Sequence, residues 1–247
     1  MYKKDMNSVI PFCTLDTKCP YLGDRNSRTE YIYIKGCLPE INNSLVKRGF
    51  RRFGRYFQKP ICEGCGECIS VRIDAFNFKL SKSQRRVIRK NSNTKIYISR
   101  PLADDSHVEL FRKYHKYMNI KREWKYYDID LIKYYDLYIA GYESFGKEIS
   151  YYVDEKLVCV DLVDIIDDGI SSIYCYYDPD YSHLSLGKFS LLKEIGFAKE
   201  MGLRWIYLGY YVKGCQSLEY KKDFLPQESL VEYVDLDKSP VWVNFKA

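Results

Sequence analysis

Three cysteines spaced two residues apart, Cys62-Glu-Gly-Cys65-Gly-Glu-Cys68, are the residues of this chain best spaced for chemistry. Glycines on both sides of the middle one let the backbone fold tightly enough to aim all three thiols at one point. With Cys19 they form a candidate site for Zn²⁺ or an Fe–S cluster. Reduced thiols that only pack are the equal alternative. Just upstream, Gly49-Phe-Arg-Arg-Phe-Gly-Arg-Tyr56 interleaves cations with rings. Downstream, Ser81-Lys-Ser-Gln84 fits an S-x-x-Q capping box and predicts a helix from Lys82 to Lys90, stopped by Asn91. On it Arg85 and Arg89, and Arg86 and Lys90, fall one turn apart and make a basic strip. Strip and helix N-terminus together form a cradle for phosphate; the plainer reading is a solvated helix face.

Bulk properties restrict what these residues can serve. The chain has 247 residues, enough for one large or two modest domains. Nine cysteines is an odd number, and the opening MYKKDMNSVIPF lacks the apolar run of a signal peptide. Both point to free thiols in a reducing compartment, the cytoplasm. No stretch approaches the roughly 20 apolar residues that span a membrane. A formal charge of +6 with 25 tyrosines and 12 phenylalanines favours a polyanion that offers flat rings, as RNA does. A mildly basic enzyme without a nucleic-acid role fits the charge equally well. Cys13, Cys37, Cys159, Cys175 and Cys215 read as buried small hydrophobes, and His107, His115 and His183 show no ligand spacing.

The elements that position these residues divide into two parts, an irregular Cys/Arg-rich domain over 1–95 and a second domain over 96–247. The first holds a short helix near Ile41 to Arg48 that Gly49 stops. The second opens on a further capping box, Ser106-His-Val-Glu109, which starts a helix bearing Phe111, Tyr114 and Met118 at helical spacing. Leu157 to Ile166 and Ser171 to Tyr177 read as strands joined through Asp168-Gly169, a hairpin signal. Asp178-Pro179 ends the second strand. Leu186, Phe189, Leu192 and Ile195 mark the buried face of a helix that Gly202 terminates, and Trp205 to Val212 is a further buried strand. The class is α+β, and the order hairpin, helix, strand resembles the core of the GNAT acyltransferase fold.

The sequence also resembles a family. Cys19-Pro-Tyr-Leu, Ser27-Arg-Thr-Glu-Tyr31, Gly49-Phe-Arg-Arg, Cys62-x-x-Cys-x-x-Cys-x-x-Val-Arg72, Ser81-x-Ser-Gln-Arg-Arg86, Tyr177-Asp-Pro179, Ser185-Leu-Gly187, Tyr207-Leu-Gly-Tyr210 and Tyr220-Lys221 are similar, in order, to the motifs of the aminoacyl-tRNA–protein transferases. The narrower resemblance is to the bacterial leucyl branch, the aspartate/glutamate leucyltransferases. The eukaryotic arginyl branch carries Cys-x-x-Cys where this chain ends in Leu22, and adjacent cysteines where it has Cys65-Gly66. The segment Tyr114 to Lys121 lacks the Arg-His pair of that branch. These departures favour the leucyl branch.

The resemblance implies transfer of leucine from leucyl-tRNA to the α-amine of a protein that begins with Asp or Glu, which marks that protein for degradation. It implies donor and substrate contacts at Arg28, Arg51, Arg52, Arg72, Ser83, Gln84, Arg85, Arg86, Arg89 and Lys90. For the chemistry it implies Asp178, Tyr207, Tyr210, Tyr220 and Lys221. In that reading Lys221 and the amides beside Ser171 to Tyr176 serve the tetrahedral oxyanion, Asp178 holds the attacking amine or takes its proton, and Tyr207 and Tyr210 line the cleft. Asp178 also fits a plain cap of the turn before Pro179. An aminoacyl ester is already activated, so no cofactor is required and positioning supplies most of the rate. Competing readings are an arginyl donor with the same acceptor, a metal-dependent RNA-binding module without catalysis, and an acetyl-CoA enzyme. The last needs an amide-rich glycine loop that Ser185-Leu-Gly187 is too thin to supply.

Overall fold

The apolar residues of the predicted hairpin lie at the middle of an eight-stranded sheet in a mixed α/β chain. The computed structural model describes residues 9–246. The first eight residues of the opening segment, read above as lacking a signal sequence, lie outside them. A small sheet of four strands comes first: β1 (Val9–Cys13), β4 (Thr29–Ile34), β5 (Arg51–Phe53) and β6 (Tyr56–Pro60), ordered β1-β4-β6-β5. A two-stranded ribbon, β2 (Thr17–Lys18) and β3 (Asn26–Ser27), interrupts it. Helix α1 (Pro39–Lys47) covers one face of the small sheet, burying Ile32, Ile34, Leu45 and Phe57.

The large sheet takes in β7 (Ile69–Asp74), β8 (Lys95–Ser99), β9 (Gly146–Val153), β10 (Lys156–Ile165), β11 (Gly169–Tyr177), β12 (Trp205–Tyr211), β13 (Gln227–Leu230) and β14 (Trp242–Asn244). Its order is β14-β13-β7-β12-β11-β10-β9-β8. Helix α5 (Leu186–Glu200) packs on one face with α2 (Lys82–Lys90), and α3 (Asp105–Arg122) on the other; the short α4 (Leu131–Tyr134) packs beside α3. Beta-branched and aromatic residues fill β9, β10 and β11 because both faces of those strands are covered. At Gly202 (φ +71°) α5 stops, and Leu203 donates back to Ala198 at 2.8 Å. Among the described residues no helix is long and apolar enough to cross a membrane.

Two expectations are corrected. Residue 95 does not divide the large sheet: β7, from the first part of the chain, pairs with both β12 and β13 in its centre. Val71 and Ile73 alternate with Ser70 and Arg72, and the core under α5 in the large sheet is what buries the two apolar side chains. Ser106 does not cap α3. Asp104 does, accepting the His107 amide at 3.0 Å and the Ser106 hydroxyl at 2.7 Å. A carboxylate next to the positive helix end is the stronger acceptor.

Candidate functional site

Strands β11 and β12 run parallel and pair only over Gly169–Ser171 and Trp205–Tyr207. Beyond that they diverge, because β12 bulges between Tyr207 and Gly209 and β10 shifts register against β11 between Leu162 and Val163. Diverging strands leave edge carbonyls without ladder partners, and buried carbonyls must find donors. Two cationic side chains supply them. Arg51, from β5, donates through Nη1 to the Leu208 carbonyl (2.9 Å) and through Nη2 to those of Ile173 (2.8 Å) and Ser172 (3.4 Å). Lys221 donates through Nζ to Leu208 (2.8 Å) and Tyr210 (2.5 Å). Gly209 (φ +69°) makes room: a Cβ there would lie 1.7 Å from Arg51 Nη1.

Lys221 is 3% exposed, and its Nζ partners are carbonyls rather than a carboxylate. Burial, and then the neighbouring Arg51 charge, drive its pKa well below the ordinary lysine value. A neutral amine spends two N–H bonds on two carbonyls and keeps one lone pair. In that neutral state no N–H is left for an oxyanion, the role the sequence suggested.

The remaining catalytic candidates divide. Tyr210 stands at the splay, its hydroxyl donating to the Gln58 carbonyl at 3.0 Å and its ring 5.9 Å from the Arg51 guanidinium. Tyr220 precedes Lys221 on a short 3₁₀ turn, and desolvation raises its phenol. The Tyr207 hydroxyl is committed elsewhere, accepting from Arg72 (3.0 Å) and donating to Asp168 (3.2 Å). Asp178 is paired on both oxygens, with Lys113 at 2.5 Å and Lys156 at 2.8 Å, and caps the Asp180 amide. Burial works to raise its carboxyl, but the two lysines and that amide hold it below the usual aspartate value. Such a carboxylate is a poor proton acceptor near neutrality.

Beside the splay lies a cavity of about 200 Å³ lined by Cys19, Cys62, Cys65 and Cys68, with Tyr21, Tyr31 and Gln58, and closed by Tyr210 of β12 and Val212 just beyond it. The four thiols line this one cavity without converging on a point. Cys65 accepts from the Arg25 guanidinium (3.2 Å), Cys62 from the Arg28 amide (3.3 Å) and Cys19 from the Leu22 amide (3.4 Å). Burial, then neighbouring Cys19, Cys62, Cys65 and Cys215, push the Cys68 thiol up to about 12. Among the described residues no three His, Cys, Asp or Glu side chains are grouped as a metal site would hold them. Cys19, Cys62 and Cys65 instead accept from neighbouring N–H groups.

The arginines divide too. Arg52 is buried in a two-pronged pair with Asp164, at 2.7 Å on each prong, and ties the small sheet to β10. Arg72 lies against Trp205 (3.8 Å) and Trp242 (4.5 Å) and binds Glu228 at 2.6 Å. Neither has a guanidinium free for substrate. Arg28 is exposed and reaches the Cys13 thiol at 3.6 Å. On α2 the capping box forms as predicted: Ser81 accepts the Gln84 amide and Gln84 accepts the Ser81 amide. Gln84 is buried in that role, Ser83 bonds Ser81, and Arg85, Arg86, Arg89 and Lys90 face solvent.

Sequence reading missed a buried acid pair on the α5 side of β11. Glu194 accepts a short hydrogen bond from Ser172, and no N–H or O–H of another group reaches either oxygen of Asp161. The two carboxyls are neighbours in the core, both fully shielded. Burial raises both, Glu194 to about 7. An acid at the centre of the apolar Leu157 to Ile166 run was the available signal.

Comparison with known proteins follows this geometry. Residues 17–86 match the family model described as arginine-tRNA-protein transferase, N terminus, and residues 106–231 its C-terminal counterpart. A Campylobacter jejuni protein named aspartate/glutamate leucyltransferase is 57% identical over 90% of this chain and 92% of its own length. A Helicobacter hepaticus protein of the same name is 38% identical over 95% of this chain and 97% of its own. Among solved structures, FemX aligns over 85% of this chain and 82% of its own with a TM-score of 0.47 at 8% identity.

Proposed function

This chain belongs to the arginine-tRNA-protein transferase family, and we propose on that premise that it transfers leucine from leucyl-tRNA to the N-terminal α-amine of proteins beginning with Asp or Glu. The observation that carries the choice of donor and acceptor is the 57% identity to a protein named for that reaction. The product is a protein whose new N-terminal leucine marks it for degradation. We place the enzyme in the cytosol, where charged tRNA is found, and read its second half, from α3 onward, as a GNAT-like domain with the β11–β12 splay as its reaction cleft.

The chemistry is an aminolysis. The α-amine lone pair attacks the ester carbonyl carbon, a tetrahedral adduct forms, and the bond to the ribose oxygen breaks to leave an amide. One proton must leave the nitrogen and one must reach the ribose oxygen. A free α-amine has a pKa of about 7.7 to 8.0, so a modest base suffices. In our reading the Lys221 lone pair takes that proton and returns it to the leaving ribose, while Tyr220 lies beside the adduct. Arg51 holds the two strands apart and fixes the Leu208 carbonyl that Lys221 shares. Because Arg51 already fills the splay, an acyl thioester has no strand edge to lie on, which disfavours an acetyl-CoA enzyme. The reaction needs no cofactor, and no step is routed through the thiols.

The test is direct. Purified protein is given labelled leucyl-tRNA or arginyl-tRNA with peptides starting in Asp, Glu, Lys or Ser. Label from leucine on the Asp and Glu peptides alone is the expected result; equal labelling of all four, or label from arginine only, overturns the proposal.

A further inference from the structure

The small sheet leaves one face partly open, with Phe53 at its edge against Tyr138. Opposite residues in antiparallel strands share a face, and the register places Phe12 opposite Tyr31 and Tyr33 opposite Tyr56. Arg51 lies opposite Gln58 and Phe53 opposite Tyr56. Rings and Arg51 therefore stand on the same side, and the α1 core lies on the other. Phe12 stacks on Tyr31 with centroids 5.2 Å apart and an interplanar angle of 8°, Tyr56 meets Phe12 edge-on at 6.2 Å, and Tyr33 lies 5.2 Å from Tyr56. Phe12 is 44% exposed and the three tyrosines are half-buried.

Cross-strand aromatic pairs stabilise sheets on their own, but the position of this row goes further. Tyr31 and Gln58 also line the thiol cavity that Tyr210 closes, and Arg51 leaves this face to enter the splay. The row of rings thus ends at the cavity that borders the site. Exposed Arg28 precedes β4, exposed Lys35 follows it, and Arg55 lies in the β5–β6 turn.

We propose that this aromatic face stacks the unpaired bases at the 3′ end of the donor tRNA and leads its terminal ester to the Arg51–Lys221 splay. The inference rests on the aminoacyl-tRNA reading of the site. A donor whose reactive ester hangs on the last ribose must bring its single-stranded 3′ nucleotides past whatever adjoins the cleft. Splayed bases bind by stacking on aromatic side chains with cations along the backbone. An acidic acceptor N-terminus needs a cation with free N–H groups instead, and the four rings offer none.

Binding of deacylated tRNA is compared with that of the same tRNA lacking its unpaired 3′ nucleotides, at one fixed salt concentration. Wild-type protein should prefer the intact RNA by about tenfold or more, the worth of one well-stacked base. Phe12→Leu with Tyr56→Leu should bind both RNAs alike, and Phe12→Tyr with Tyr56→Phe, which keeps the rings, should retain the preference. A wild type that does not distinguish the RNAs overturns the proposal, as does a folded leucine variant that still does. So does a leucine variant that loses only acceptor-peptide affinity, since the face then serves the polypeptide. A wild type that binds neither RNA and transfers nothing removes the donor reading itself, a result separable from the others by its missing basal binding.

Discussion

Buried charge is handled in two ways in this molecule. Between the small sheet and β10, Arg52 meets Asp164 in a fork at 2.7 Å, and Arg72 meets Glu228 at 2.6 Å beneath two tryptophans. Each cation has its anion, and both pairs are struts. Around β11 that pairing is absent. On one side Arg51 and Lys221 face only carbonyls; on the other Asp161 and Glu194 face each other, with Ser172 as the nearest donor. A strand separates the cations from the acids that would neutralise them. Unpaired groups in a low-dielectric interior move their protonation instead, the lysine down and the acids up. Paired charge holds the fold together, whereas unpaired charge shifts its protonation, as Lys221 does at the splay and Glu194 does across the strand.

The largest expected effect breaks this contrast at Lys221. Lys221→Arg keeps a donor for the carbonyls but remains protonated and has no lone pair. Transfer should fall by about 10²- to 10⁴-fold, the usual worth of a positioned base, with tRNA binding unchanged. Single-turnover rates from pre-bound leucyl-tRNA measure it. A fully active Lys221→Arg would show that Lys221 is a strut of the Arg52 kind.

How much of this was legible beforehand follows from distance along the chain. The α2 capping box was readable because Ser81 and Gln84 satisfy each other within one turn. The β10–β11 hairpin and the Gly202 stop were readable for the same reason. The thiol cluster was half-readable: spacing put Cys62, Cys65 and Cys68 in one neighbourhood, where they line one cavity without grouping as ligands, but gave no sign that Tyr31 and Tyr210 share it. The splay was not readable at all. Arg51 and Lys221 are brought to one carbonyl by a bulge at Gly209 that no local pattern announces. Arg52 and Arg72 misled because an arginine in a basic-aromatic run looks the same whether its acid partner is a distant strand or a phosphate. Glu194 was invisible, being one acid on a helix whose neighbouring lysines suggest solvent.

The acid pair gives the next effect in size, and its sign can be worked out. Glu194 is raised to about 7 in the folded protein against an ordinary value near 4.5. A raised acid stabilises the fold fully below its unfolded pKa, and that contribution is lost as pH climbs from about 4.5 through about 7; Asp161 shifts in the same direction. The loss is on the order of 3 kcal/mol for a shift of this kind. Glu194→Gln, neutral at every pH, should flatten the decline of stability between pH 5 and 8. Denaturant melts across that range decide it: equal slopes for variant and wild type mean that folding does not raise Glu194.

The smallest effect belongs to α2, where the contrast is with charge that is neither buried nor paired. Arg85, Arg86, Arg89 and Lys90 face solvent on a helix anchored by Gln84 and Val87. As solvated groups they add little to stability, so Arg85→Ala with Arg86→Ala should leave the melting temperature within about a degree or two. Their role, if the strip meets the tRNA backbone, is counterion release. Each phosphate contact adds about 0.9 to the salt slope on duplex RNA if its charge density is like that of B-form DNA. The double variant should therefore show a slope shallower by about one to two contacts, and weaker binding at low salt that converges on wild type at high salt. Titrations of tRNA at several salt concentrations measure both. An unchanged slope returns the strip to an ordinary solvated face, and an unchanged slope with lost Asp-over-Lys peptide selectivity assigns these arginines to the acidic N-terminus instead.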